Sequence, residues 1–170
     1  MPLDDAPLRS AGIRLRAAEQ HDLPALARLH ALWRMPELLV APWSAAQKQA
    51  FLDEQFALQH AHYVRHFARA DFWVIVEGGA HAPVCGQLYL DRSQAEWRQI
   101  AVLLGPDLRG RGVGSAILRW IQHAATAAGA TGITLHVGIT NPQAQALYRR
   151  LGFVDLPGGD GSNLPMRWTP

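Results

Sequence analysis

Seven short stretches of the chain alternate apolar and polar residues, or form brief apolar runs bounded by turn residues, and both patterns predict β-strands. The stretches are IRLRA from Ile13, DFWVIVE from Asp71, CGQLYLD from Cys85, EWRQIAVLLG from Glu96, GITLHVGI from Gly132, FVDL from Phe153 and NLPMRW from Asn163.

Four longer stretches repeat apolar residues every three or four positions, which is typical of amphipathic helices. They are residues 21–33, residues 44–70, the segment between Gly114 and Gly129, and residues 142–151. Asp22 and Asn141 are predicted as N-caps. The order β-α-α-β-β-β-α-β-α-β-β therefore predicts an α/β fold, with about four helices flanking a mixed, largely antiparallel sheet of six to seven strands.

Length and composition indicate one globular domain. Residues 1–12 are interpreted as a loose N-terminal leader and residues 13–170 as a single domain. Acidic residues stand where a signal peptide would be basic, and no apolar run is long enough to span a membrane. The only cysteine, Cys85, excludes an internal disulfide. We therefore expect a cytoplasmic protein.

The charged residues do not predict nucleic-acid binding, and the histidines do not predict a metal site. The formal net charge is +2, without a long basic run, so nucleic-acid binding is not predicted. His62 and His66 lie one helical turn apart, next to His60, a spacing that can hold a metal. No third ligand is evident, so the pattern predicts a polar helix face and no metal site.

The stretch DLRGRGVGSAIL, from Asp107 to Leu118, carries glycine at positions 110, 112 and 114 directly before a helical pattern. A helix N-terminus presents unpaired N–H groups, and glycine lets a ligand approach them, so the stretch is suited to a pyrophosphate. Arg111 and Gly112 follow Gly110 where a Walker A motif needs Lys and Ser or Thr, and Ser115 replaces the third glycine of a dinucleotide fingerprint. A tight turn without a ligand is the structural alternative.

Two motifs together resemble the GNAT acetyltransferase superfamily. RGRGVG matches R/Q-x-x-G-x-G/A through Arg109, Gly112 and Gly114, and NPQAQALYRRLGF from Asn141 matches N-x-x-A-x-x-L-Y-x-x-L-G-F. The element order agrees with the superfamily from Ile13 to Trp168. The resemblance therefore implies a GNAT-like fold and an acetyl-CoA-dependent N-acetyltransferase.

The resemblance also implies where acetyl-CoA lies, in a cleft where the strand that ends at Leu104 separates from the strand at Leu135. Main chain near Leu104 would pair with the pantetheine arm, amides of the glycine stretch would hold the pyrophosphate, and Tyr148 would lie near the sulfur. The implied cofactor-binding residues are Val102, Leu103, Leu104, Arg109, Gly110, Arg111, Gly112, Val113, Gly114, Ser115, Asn141 and Tyr148. Gly105 is one residue more than the motif needs, and we expect it to form a bulge.

The implied reaction is direct attack of a primary amine on the thioester, with Tyr148 protonating the leaving thiolate. A backbone N–H near Val102 or Leu104 would stabilise the oxyanion. Glu96 is the first candidate for the base, and His136 and ordered water are the alternatives. The acceptor would be a small molecule or a peptide, and a homodimer is possible in this superfamily. The alternatives to an enzyme are a non-catalytic acyl-CoA sensor and a nucleotide-phosphate binder.

Overall fold

The computed structural model describes residues 3–79 and 81–170 and contains one seven-stranded sheet with the order β1-β2-β3-β4-β5-β7-β6. The strands are β1 (Ile13–Ala17), β2 (Asp71–Glu77), β3 (Val84–Asp91), β4 (Glu96–Leu104), β5 (Gly132–Gly138), β6 (Val154–Asp155) and β7 (Asn163–Trp168). The helices are α1 (Ala6–Arg9), α2 (Leu23–Arg34), α3 (Ala45–His66), α4 (Val113–Ala127) and α5 (Pro142–Arg150). Single 3-10 turns precede α2, follow it and precede α4.

The sheet is antiparallel except where β4 pairs with β5. This parallel pair is joined by α4, because parallel neighbours need a crossover connection. The predicted fold class, a mixed and largely antiparallel sheet with flanking helices, is confirmed.

The helices cover the sheet in two layers. One face, here called the α4 face, packs against α4 and α5 and holds the larger core cluster, which includes Ile117, Leu135 and Phe153. The opposite face, called the α2 face, packs against α2 and α3 through a smaller cluster around Leu26 and Val74. The larger core therefore fixes α5 against the centre of the sheet.

The predicted bulge lies elsewhere in β4. The β3–β4 register shifts between Tyr89 and Leu90, whose partners are Ala101 and Gln99, so Ile100 is the extra residue. Gly105 continues the ladder instead, because its N–H donates to the Cys85 carbonyl at 2.8 Å. A Cβ at position 105 would stand 2.7 Å from that carbonyl oxygen, so glycine is needed there for close approach and not for a bulge.

The N-terminal segment is packed rather than loose over the residues that the structure describes. Leu8 in α1 is 1% exposed and belongs to the larger core. The Trp120 indole N–H donates to the Asp4 carbonyl at 2.7 Å. The expectation of a loose leader is therefore wrong for residues 3–12, and Met1 and Pro2 lie outside the described residues.

Asp22 does not cap α2 as predicted. Its two carboxylate oxygens each accept a hydrogen bond from Arg16, both at 2.7 Å. One of them also accepts from the Glu19 N–H, and the residue is 3% exposed. The carboxylate is therefore used in a buried ion pair that joins β1 to the start of α2.

Candidate functional site

The central feature of the site is a fork between β4 and β5. The two strands pair only from Glu96↔Gly132 to Gln99↔Leu135, although β4 runs on to Leu104. Beyond Gln99, β3 pairs with one edge of β4, while the edge that faces β5 has no strand partner among the described residues. An unpaired strand edge of about 16 Å can pair with an extended ligand. The predicted residues Val102, Leu103 and Leu104 form this edge.

The glycine turn lies just beyond the end of β4 and opens α4. Gly110 and Gly112 have φ values of +73° and +79°, a left-handed conformation that favours glycine. A Cβ at either position would meet nothing within 4 Å. The N–H groups of residues 110–115, with Val113 and Ser115 in the first helical turn, have no backbone acceptor in the described part of the chain. The turn is therefore an open cradle of donors at a helix N-terminus, which suits an anion.

Gly114 has a different reason to be glycine. A Cβ there would stand 3.3 Å from Leu147 Cδ2 and 3.7 Å from Leu104 Cδ1. The start of α4 is thus pressed between α5 and the end of β4. This glycine serves helix packing, a role that the motif alone does not distinguish from ligand contact.

The two arginines of the turn are held by neighbouring protein groups. Arg109 Nε donates to the Leu104 carbonyl at 3.0 Å. Arg111 donates to the Asp107 carbonyl at 3.1 Å and forms a 2.7 Å ion pair with Glu77 of β2. Their side chains therefore brace the ends of the strands, and the cradle itself is built from main chain.

Asn141 caps α5, because its Oδ1 accepts a hydrogen bond from the Ala144 N–H at 3.1 Å. The predicted cap is confirmed, and Pro142 follows at the first helical position. This local geometry sets where α5 begins and therefore where Tyr148 stands.

Tyr148 projects from α5 to the apex of the fork on the α4 face. Its hydroxyl oxygen accepts a hydrogen bond of 2.8 Å from Gln99 Nε2, and its ring packs edge-to-face on Phe153 with centroids 5.5 Å apart. Burial raises the pKa of the Tyr148 hydroxyl, and donation from Gln99 acts in the opposite direction. Gln99 was not among the predicted site residues, although a glutamine in a central strand, two positions after the apolar Trp97, is a signal for a buried polar group.

Glu96, the first candidate for the base, is not near Tyr148. It lies three residues before Gln99, about 10 Å along β4, and alternation turns it to the α2 face. Its carboxylate accepts a 2.6 Å hydrogen bond from Arg167 Nε in an ion pair. The structure therefore gives Glu96 a partner at the end of β4 opposite the fork.

His136 lies one residue past Leu135, where β4 and β5 separate, and is exposed on the α2 face. Its Nδ1 is 3.3 Å from a guanidinium nitrogen of Arg98, and that guanidinium lies 5.5 Å from the centre of the Phe67 ring. The structure thus brings His136, but not Glu96, to the fork.

Neither a metal site nor a membrane span is found within residues 3–79 and 81–170. No group of three or more His, Cys, Asp or Glu side chains there could hold a metal ion. His62 and His66 instead stack on each other with ring centroids 4.2 Å apart. None of the described helices is both long enough and apolar enough to cross a bilayer.

The chain is similar in sequence to known acetyltransferases. The model of the "Acetyltransferase (GNAT) family" matches residues 32–153. A protein of Bacillus subtilis (strain 168), named "Putative ribosomal protein bS18-alanine N-acetyltransferase", is 28% identical over 123 residues, covering 72% of this chain and 70% of that protein.

Solved structures share the fold at low identity. The PaiA N-acetyltransferase of Thermoplasma acidophilum, in complex with coenzyme A, superposes with a TM-score of 0.67 at 17% identity, covering 93% of this chain and 99% of that one. The spermidine N-acetyltransferase of Vibrio cholerae, in complex with CoA and spermine, gives 0.62 at 20% identity, covering 94% and 96%. Since the family match spans most of the sequence, the chain belongs to the acetyltransferase (GNAT) family, whose cosubstrate is acetyl-CoA, and is an N-acetyltransferase.

Proposed function

We propose that this chain transfers the acetyl group of acetyl-CoA directly to a primary amine while both substrates are bound. The observation that carries the proposal is the position of the buried Tyr148 hydroxyl, which lies at the apex of the β4–β5 fork beside Gln99. A phenol there can give a proton to a leaving group held between the two strands.

The residues around the fork fit acetyl-CoA along their length. The free edge of β4 after Gln99 supplies main-chain partners for the pantetheine amides, and the N–H cradle of residues 110–115 receives the pyrophosphate. The open space beside Gly110 and Gly112 leaves room for that group. Asn141, which starts α5, contacts the same cosubstrate.

The reaction follows from these positions. The neutral amine nitrogen attacks the thioester carbonyl carbon, and a backbone N–H of β4 near Val102 or Leu104 stabilises the oxyanion. The carbon–sulfur bond then breaks, and the thiolate takes the proton of the Tyr148 hydroxyl, so that an amide and free coenzyme A leave. The phenolate regains its proton from the solvent, which keeps atoms and charge balanced.

The amine must lose a proton on the opposite side of the fork. His136 is exposed there, and it or an ordered water accepts this proton. Glu96 has no part in the proposal, because its carboxylate is held by Arg167 at the other end of β4.

The test is thiol release from acetyl-CoA in the presence of an amine panel. The relatives suggest two members of this panel, a peptide with N-terminal alanine and spermidine. We expect Tyr148→Phe to lower kcat at least tenfold with little change in the Kd of acetyl-CoA. Tyr63→Phe is the matched control, since this tyrosine of α3 packs edge-to-face on Tyr89 and is expected to leave kcat unchanged.

Three results would count against the proposal. Tight binding of acetyl-CoA without transfer to any amine would indicate an acyl-CoA sensor. Equal affinity for ADP and coenzyme A would indicate a binder of nucleotide phosphates, because the pantetheine arm would add nothing. An unchanged kcat in Tyr148→Phe would remove the general-acid role.

A further inference from the structure

Gln99 is a polar side chain buried in an apolar part of the core, where its burial lowers the stability of the fold. It is 5% exposed, and its neighbours on the α4 face, including Trp97 and Leu135, are apolar. Its Nε2 donates to Tyr148, but its Oε1 is buried without a hydrogen-bonding partner in the part of the chain that the structure describes. A buried carbonyl without a hydrogen bond has lost its hydration with nothing in return, so stability alone favours an apolar residue here.

The direction of the hydrogen bond decides what the tyrosine can do. A phenol has one proton, and the Tyr148 oxygen accepts from Gln99 rather than donating to it. Among the described residues, Gln99 is the only hydrogen-bonding partner of this hydroxyl, so its proton remains available for another acceptor. If the bond ran the other way, that proton would be engaged.

We propose that Gln99 is a positioning residue that fixes the Tyr148 oxygen as an acceptor and thereby leaves its proton directed to the departing thiolate. The proposal rests on the function proposed above. The same Nε2 stabilises the phenolate that remains after proton transfer, since a hydrogen bond to the charged form favours that form. Gln99 thus acts through Tyr148 and does not itself touch the acetyl group.

The first test is a double-mutant cycle with the acceptor that the amine panel selects. Gln99→Met removes the donor at similar length, and we expect kcat to fall about tenfold while the Kd of acetyl-CoA stays within twofold. In a Tyr148→Phe background the same change should lower kcat no further, because a residue that acts through another adds nothing once that other is lost. Thermal unfolding of each variant shows whether it is folded.

Gln122→Met is the control for losing a buried glutamine. Gln122 is also buried, and its Nε2 donates to the Leu151 carbonyl at 2.8 Å and not to the Tyr148 hydroxyl. We expect this variant to lower the free energy of unfolding and to leave kcat unchanged.

Gln99→Glu tests the direction of the bond. The introduced carboxyl group can donate to Tyr148 only when protonated, and as a carboxylate it would draw the tyrosine proton to itself. We therefore expect kcat of this variant to decrease as pH rises through the pKa of the new carboxyl group. The pH profile of kcat for Gln122→Met should show no such decrease.

The outcomes separate this proposal from the proposed function. If Tyr148→Phe is impaired but Gln99→Met keeps full kcat, or if the two changes are additive, only the role of Gln99 is overturned. A kcat of Gln99→Glu that rises with pH also overturns it, since tyrosine would then be the donor. An unchanged Tyr148→Phe, or a panel with no acceptor, overturns both.

Discussion

Gly114 at the start of α4 lies so close to Leu147 of α5 that a Cβ on the glycine would stand 3.3 Å from Leu147 Cδ2. The glycine motif and the α5 motif are therefore one packed unit rather than two separate ligand contacts. The size of the side chain at position 114 therefore limits how close α5 can lie to the cradle. Because Leu147 directly precedes Tyr148, it also affects the position of Tyr148.

Enlarging residue 114 is expected to disturb both stability and catalysis. Gly114→Val should lower the free energy of unfolding by about 1–3 kcal/mol through overpacking and should lower kcat by displacing Tyr148. Adding Leu147→Ala should recover part of kcat, because it makes room for the branched side chain. Chemical denaturation and steady-state kinetics measure the two effects, and a fully active Gly114→Val would contradict the coupling.

The cradle can be tested at Gly112, whose φ of +79° strains any other residue. Gly112→Ala should cost about 1–2 kcal/mol of stability and weaken coenzyme A binding, because the new Cβ would fill the open space above the N–H groups. Gly129→Ala is the matched control. Gly129 also has a positive φ, +70°, and a Cβ there would also meet nothing within 4 Å, but it lies at the opposite end of α4. Calorimetric titration with coenzyme A should distinguish them, and equal losses of affinity would argue against the cradle.

The ion pair of Asp22 with Arg16 predicts a pH dependence of stability. Hydrogen bonds from Arg16 lower the pKa of Asp22 from 3.8 to about 2, so the native state holds the carboxylate ionised. A lowered native pKa stabilises the fold above about pH 4, and this contribution is lost as pH falls towards 2. The shift corresponds to about 2 kcal/mol.

Urea denaturation between pH 2 and pH 6 measures that contribution. The stability difference between the unaltered chain and Asp22→Asn should be largest near pH 6 and should shrink at low pH. Asp53→Asn, at an exposed position of α3, is the control and should leave the pH profile unchanged. A difference that stays constant from pH 6 to pH 2 would show that the ion pair is not its source.

Glu96→Gln should leave kcat unaltered, because the carboxylate is bound to Arg167 and lies about 10 Å along β4 from Gln99. The ion pair is partly exposed, so its loss should change the free energy of unfolding by no more than about 1 kcal/mol. His136→Gln is the comparison, and we expect it to lower kcat if the amine proton passes to this imidazole. A tenfold fall of kcat in Glu96→Gln would restore the carboxylate as the candidate base.

Residue patterns that act over a few positions determined much of this protein without reference to the rest of the chain. Alternation and helical spacing predicted the strands and the main helices, and Asn141 before Pro142 fixed the start of α5. Asp22 shows the limit of such reasoning, because a good capping residue found a stronger partner in Arg16 of the neighbouring strand.

What only the tertiary structure decided is which distant residues meet. Gln99 and Tyr148 are 49 positions apart, and Glu96 and Arg167 are 71 apart, so their pairing depends on strand order and on which face each side chain takes. Because of the bulge at Ile100, every later side chain of β4 lies on the face opposite to the one that regular alternation would give it. No residue pattern near Ile100 predicts this bulge. The sequence therefore determined the strands, the main helices and the glycine turn, whereas packing decided the fork, because contacts between remote segments are chosen by the energy of the whole core.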